Sequence, residues 1–265
     1  MKTALSIAGS DCSGGAGIQA DIKTMSALGV YAMSVVVSVV AENTSRVISI
    51  EDVSQKVIGE QIDAVFEDMP VDSVKVGMLS TPECMVAVAE KLKEYAPKYI
   101  VIDPVMYAKN GCPLMQEQSI STLIKEIIPL ATVLTPNIPE AEKIANMEIK
   151  TTEDMRVAAK KIVELGAKAV LVKGGHYVGD AQDILYDGTD YYCFSGRRID
   201  TKNTHGTGCT LSSAIASYLA LGETLEGAVE KAKEYVTVAI EHALELGKGC
   251  GPTNHFYSLY NNKEG

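Results

Sequence analysis

The chain has no CxxC pair, no excess of positive charge and no apolar run near the ~20 residues that a membrane-spanning helix needs. Its six cysteines, at 12, 84, 112, 193, 209 and 250, are scattered through 265 residues. That spacing suits reduced thiols better than a disulfide framework. The four histidines, His176, His205, His242 and His255, also lack metal-ligand spacing, which argues against a zinc site. No leader-like pattern, Ser/Pro-rich linker or repeat is visible, so a single domain over residues 1–265 and a cytoplasmic location are expected. Lys and Arg number 24 against 34 Asp and Glu, a net charge of −10. Nucleic acid and an anionic membrane are therefore poor partners. A phosphate ligand is not excluded, because a few backbone N–H groups can hold one locally.

What is present is an ordinary globular composition, 46% hydrophobic and 22% charged. Short apolar runs alternate with amphipathic segments. The runs predict strands at Ala4–Ala8, Val35–Val40, Val74–Val76, Tyr99–Ile102, Val133–Leu134 and Ala169–Val172. The segments between them predict helices at Gly17–Leu28, Ser54–Phe66, Pro82–Tyr95, Gln118–Ile128, Glu140–Ala145 and Glu153–Leu165. This alternation indicates a three-layer α/β/α fold on a mostly parallel sheet. Ile184–Tyr186 and Tyr191–Phe194, joined by Asp187-Gly188-Thr189-Asp190, read as a hairpin. Two helices follow, over Gly208–Leu221 and Leu225–Leu246.

Candidate chemistry gathers in loops that follow the strands. Gly9 to Gly17, with glycines at 9, 14, 15 and 17, lies between a strand and a helix start, where free N–H groups attract anions. Gly15-Ala16-Gly17-Ile18-Gln19-Ala20 meets the loose GxGxxG/A form of a dinucleotide turn, but Glu42 comes late for its acidic partner. A plain glycine turn is the other reading. Thr204-His205-Gly206-Thr207-Gly208-Cys209-Thr210 enters an apolar helix, so the N–H groups of Gly206, Thr207, Gly208 and Cys209 would point at one spot. Such a nest steadies a transferring phosphoryl group. Cys209 falls in the first turn, where the helix dipole is expected to lower its thiol pKa. The bland alternative is a helix cap beside an inert cysteine.

Three further loops add polar groups. Thr135-Pro136-Asn137-Ile138-Pro139-Glu140 follows a short strand; Asn137 and Glu140 could hold magnesium through water, or simply begin a helix. Asp103-Pro104-Val105-Met106 adds a carboxylate, a third possible route to magnesium, and Lys173-Gly174-Gly175-His176 adds a cation. All five loops sit at strand carboxyl ends, where open α/β sheets bind ligands.

With these motifs the chain resembles the hydroxymethylpyrimidine and phosphomethylpyrimidine kinases of thiamin synthesis, within the ribokinase-like superfamily. The residues that carry the likeness span nearly the whole chain. They are Ala8-Gly9-Ser10-Asp11, Ser13 to Thr24, Asp103-Pro104-Val105-Met106, Thr135-Pro136-Asn137, Lys173-Gly174-Gly175, His205 to Thr210 and Gly251-Pro252. The resemblance implies ATP and Mg²⁺ as cofactors and a small-molecule substrate; a homodimer is also expected. It implies that Asp21, Glu42, Met78 and Val105 contact the pyrimidine. Asp103, Asn137, Glu140 and Lys173 would serve the nucleotide and its metal, and Gly206 to Cys209 the anion hole. Cys209 would stand where many ribokinase-like enzymes carry an aspartate base.

One position departs from the family pattern. Ala41-Glu42-Asn43-Thr44 replaces the usual Ala-Gln-Asn-Thr, so position 42 loses a hydrogen-bond donor unless a proton is shared with the ring. Crowding with Asp21 and Asp103 in a partly dry pocket is expected to raise the Glu42 pKa. Relatives in the same family phosphorylate pyridoxal, which keeps a pyridoxal or pyridoxine kinase open. A nicotinamide-dependent oxidoreductase and a non-catalytic vitamin-binding protein are the remote alternatives.

Overall fold

In the computed structural model, residues 1–108, 111–116, 118–175 and 181–261 are described; His176 lies outside them. One nine-stranded sheet runs through the molecule in the order β3-β2-β1-β4-β5-β6-β7-β8-β9. Its strands are β1 (Thr3–Asp11), β2 (Tyr31–Asn43), β3 (Arg46–Asp52), β4 (Ser73–Val76), β5 (Ile100–Ile102), β6 (Val133–Leu134), β7 (Val170–Val172), β8 (Ala181–Tyr186) and β9 (Tyr191–Gly196). The six strands from β2 to β7 pair in parallel, while β3 at one margin and β8 and β9 at the other pair antiparallel.

Strand periodicity of two explains the layers. Ile100 and Ile102 face a core shared with α2 (Gln55–Phe66), α3 (Pro82–Tyr95), α5 (Ile138–Ala145) and α6 (Thr152–Glu164). Val101 between them faces the opposite core, with Val133, Leu171 and residues of α7 (Thr207–Leu221) and α8 (Leu225–Glu241). Helix α1 (Gly17–Ala27) packs on that second face, against β1 and α7. The expected three-layer α/β/α arrangement is therefore present, and both glycine-rich loops open helices on one side of the sheet.

Most expected elements appear within a few residues of their predicted ends, and the differences have local causes. Helix α4 (Ser119–Thr122) gives way to a wider turn over Leu123–Ile127 and a tight turn at Ile128–Leu130, where Pro129 cannot donate to a continuing α-helix. The last long helix stops at Glu241 instead of Leu246, and the Leu244 N–H bonds to the Pro252 carbonyl. Strand β3 escaped the sequence reading. It is an edge strand with Ile48 63% exposed, so it lacks a buried face to mark it. A short α9 (Tyr257–Asn261) was also unforeseen. No helix among the described residues is long and apolar enough to cross a membrane.

Candidate active site

Helix α7 begins at Gly206, whose φ of +79° is a left-handed cap conformation that favours glycine. A Cβ at Gly206 would sit 1.8 Å from the Gly15 carbonyl oxygen, and one at Gly15 would sit 2.3 Å from the His205 ring. The two glycine-rich loops therefore pack backbone against backbone. Gly208 faces a third element: a Cβ there would lie 3.1 Å from Asp103 Oδ2 and 3.5 Å from Lys173 Nζ. The start of α7, with Gly206, Thr207, Gly208 and Cys209, is thus brought beside the loops that follow β5 and β7.

Lys173 Nζ donates to Asp103 Oδ1 at 2.8 Å, and both side chains are largely buried. Burial alone would lower the lysine pKa, but the Asp103 and Glu140 carboxylates outweigh it and keep the ammonium charged. Asn137 and Glu140 form a reciprocal cap of α5. The Glu140 N–H donates to Asn137 Oδ1, and the Asn137 N–H donates to Glu140 Oε2, both at 2.9 Å. The helix-start reading of this pair is therefore realised. Glu140 also accepts from the Met106 N–H at 3.4 Å, and burial pushes its carboxyl up to about 7. Asn137 and Glu140 are engaged in the cap, and Asp103, paired through Oδ1 with Lys173, has its Oδ2 beside Gly208, so all three could reach a hydrated magnesium ion only through water.

The substrate-side residues divide. Asp21 is corrected from ring contact to scaffold. Its side chain is fully buried, with Lys75 Nζ 2.9 and 2.8 Å from its two oxygens and with hydroxyl donors Ser6 at 2.5 Å and Ser213 at 2.7 Å. No part of it is open to a ligand. Glu42, at the end of β2, is partly exposed and lines a cleft of about 280 Å³ bounded by Asn43 to Ser45, Ala108, His205 and Cys250. Its carboxyl is pushed up to about 7, first by burial and then by Asp11, with His205 opposing. The expected direction holds, but Asp21 and Asp103 are not the cause. Met78 is buried against Gly9, where an added Cβ would lie 3.2 Å from its Cε. Val105 sits half-buried just past Asp103, its N–H bonded to the Asp103 carbonyl at 2.8 Å. Neither lines the Glu42 cleft.

Cys209 contradicts the expected acidic thiol. Burial pushes it up to about 11; Lys75 pulls it down in part, Asp21 and Asp103 push it further up, and the Gly17 N–H bond lowers it slightly. Helix-dipole stabilisation loses here to desolvation of a half-buried thiol, with the Asp21 and Asp103 carboxylates adding to it.

Two groups were missed. Asp11 accepts from the Ser13, Gly15 and Ala16 N–H groups and lies 2.8 Å from His205 Nε2, which pins the two loops together. Lys75 is fully buried in β4. A lysine between Val74 and Val76, in a strand expected to be buried, was the available signal, since a buried cation must have a partner.

Comparison with known proteins identifies the family. The phosphomethylpyrimidine kinase family profile matches residues 11–254. A hydroxymethylpyrimidine/phosphomethylpyrimidine kinase of Rhizobium meliloti is 49% identical, covering 96% of this chain and 97% of that protein. The thiamine biosynthesis bifunctional protein ThiED of Geobacter sulfurreducens is 51% identical over 95% of this chain, which spans only 51% of that longer protein. The crystal structure of an ADP complex of Bacillus subtilis pyridoxal kinase superposes with a TM-score of 0.90 at 39% identity, covering 99% of this chain and all of that one. The chain belongs to the phosphomethylpyrimidine kinase family.

Proposed function

We propose that this chain, as one domain over residues 1–265, transfers the γ-phosphoryl group of ATP to 4-amino-5-hydroxymethyl-2-methylpyrimidine. It then phosphorylates the monophosphate to the diphosphate, in thiamin biosynthesis. The observation that carries the reading is the position of the α7 start. It lies against the Asp103–Lys173 pair on one side and, through His205, against the Glu42 cleft on the other.

The substrate hydroxymethyl oxygen attacks the γ-phosphorus in line, the bond from that phosphorus to the β–γ bridging oxygen breaks, and ADP leaves. The Gly206 to Cys209 N–H groups stabilise the charge that develops on the phosphoryl oxygens, and Lys173 adds a fixed positive charge. Mg²⁺, held by Asp103 through water, would neutralise phosphate charge when bound. The transition state is loose, so the hydroxyl proton leaves late and little is asked of a base. That agrees with a Cys209 thiol that is neutral at pH 7.

Pyridoxal is the second reading, favoured by the likeness to a pyridoxal kinase and by Glu42 in place of glutamine. We also propose a cytoplasmic homodimer; the exposed Ile48 on edge strand β3 supports a partner there. Incubating the protein with ATP, Mg²⁺ and each heterocycle, and measuring ADP and the phosphorylated product, tests the assignment. Faster turnover of pyridoxal than of the pyrimidine would reverse it.

A further inference from the structure

Asp11 fixes the first glycine-rich loop. Its Oδ1 accepts from the Ser13 N–H at 2.7 Å, and its Oδ2 from the Gly15 and Ala16 N–H groups at 3.1 and 2.8 Å. The same Oδ2 meets His205 Nε2 at 2.8 Å, and His205 directly precedes the first residue of the α7 nest. Only glycine at position 15 leaves room for the imidazole. Glu42 completes the set, with ligand atoms of all three side chains within 4.8 Å of one another. Asp11 and His205 are buried, while Glu42 is partly exposed to the cleft. Glu42, Asp11 and His205 thus lie close together between the cleft and Gly206, with the Asp11–His205 contact as the hydrogen bond within the set. With three N–H groups and an imidazole already on Asp11, the set suits proton sharing better than metal binding.

We propose that His205 is a positioning residue for the transfer reaction, and that a proton shared among Glu42, His205 and Asp11 couples the ring held in the cleft to the glycine-rich nest. The coupling rests on the assignment of the cleft to the ring-bearing substrate. A charged imidazole favours ionised Glu42, and a neutral one favours protonated Glu42. A ring nitrogen that accepts a hydrogen bond needs the protonated carboxyl; a ring that carries its own proton needs the ionised one. The ligand class is therefore a nitrogen heteroaromatic that shares one proton with position 42. The charged groups acting on Glu42 are Asp11 from β1, which pushes its carboxyl up, and His205 from the segment before α7, which pulls it down. With burial, the balance places the change of form at about 7.

The direct test needs no substrate, so its failure is separable from failure of the functional assignment. The Glu42 side-chain carboxyl is followed by carbon-13 NMR from about pH 5 to 9, a window around its raised midpoint, in the parent and in His205→Gln. His205 holds that midpoint down, so it is expected to move upward in His205→Gln, whose amide keeps a donor toward Asp11. A midpoint that stays where it is in the parent overturns the proposal. The second arm measures the KM for hydroxymethylpyrimidine against pH in the same variant, and its profile should shift in the same direction. A profile superimposed on the parent's also overturns it. If His205→Gln fails to fold, His205→Asn takes its place in both arms.

Discussion

Asp21 and Glu42 are both carboxylates expected at the substrate, and the structure treats them in opposite ways. Asp21 is sealed beneath α1, with the Lys75 ammonium and two hydroxyls on its oxygens. This set joins β1, β4, α1 and α7, and so holds the two helices whose starts form the glycine-rich loops. Glu42 stands at the cleft with a carboxylate and an imidazole as neighbours, and its own charge is only partly compensated. Full compensation turns an ionisable group into scaffold. Partial compensation beside open space leaves it able to change form when a ligand arrives.

The largest expected effect comes from breaking the sealed pair. Lys75→Met strands the buried Asp21 carboxylate and should cost about 3–5 kcal/mol, read as a lower Tm and denaturant midpoint. Adding Asp21→Leu removes the orphaned charge and should recover much of the loss. If the double variant is no more stable than Lys75→Met, packing rather than charge compensation explains the pair.

Next is the contact between the two loops. Gly206→Ala puts a methyl group into the Gly15 carbonyl and forces alanine into a left-handed conformation, so the nest must shift. Turnover should fall about 10²-fold or more, the range seen when an oxyanion donor is lost. Turnover near that of the parent would remove the nest from the account.

Cys209→Ala should be milder, with kcat lowered about 10²-fold at most, the low end for a general base. A thiol at about 11 is ionised only slightly at neutral pH. If its thiolate were required, kcat would rise about tenfold per pH unit from 7 to 9, since each unit below the pKa is a tenfold loss of thiolate. A flat profile is expected, with the Cys209 N–H doing the work.

Glu42→Gln should not destabilise the fold, because it removes a partly buried carboxyl held beside Asp11 whose raised pKa costs stability once the pH exceeds the unfolded value. Its signature lies in pH dependence. The parent's carboxyl loses its proton through about pH 7, so its ability to donate to a ring nitrogen is present below that pH and lost above it. The substrate KM of the parent should therefore change across pH 6 to 8, while that of Glu42→Gln stays level. Parallel profiles would assign the dependence to another group.

The sheet, the layers and the clustering of loops at strand ends could be read in the sequence, because buried parallel strands leave continuous apolar runs. The order of loops around the site could not. Asp21 and Glu42 look alike in sequence, and only long-range packing against Lys75 separates them. The Asp11–His205 contact joins residues 194 positions apart, a distance that no local pattern encodes. The Cys209 thiol departs from expectation for a related reason: its position in the helix was legible, but the desolvation and the Asp21 and Asp103 carboxylates around it were not.

The most direct test is ADP formation by the purified protein with hydroxymethylpyrimidine as sole acceptor, with Mg²⁺ present and again in excess chelator. The account expects pyrimidine-dependent ADP release, with the phosphoryl group on the hydroxymethyl oxygen, and its loss in chelator. ADP release that does not depend on the pyrimidine, or that continues unchanged without metal, would contradict it.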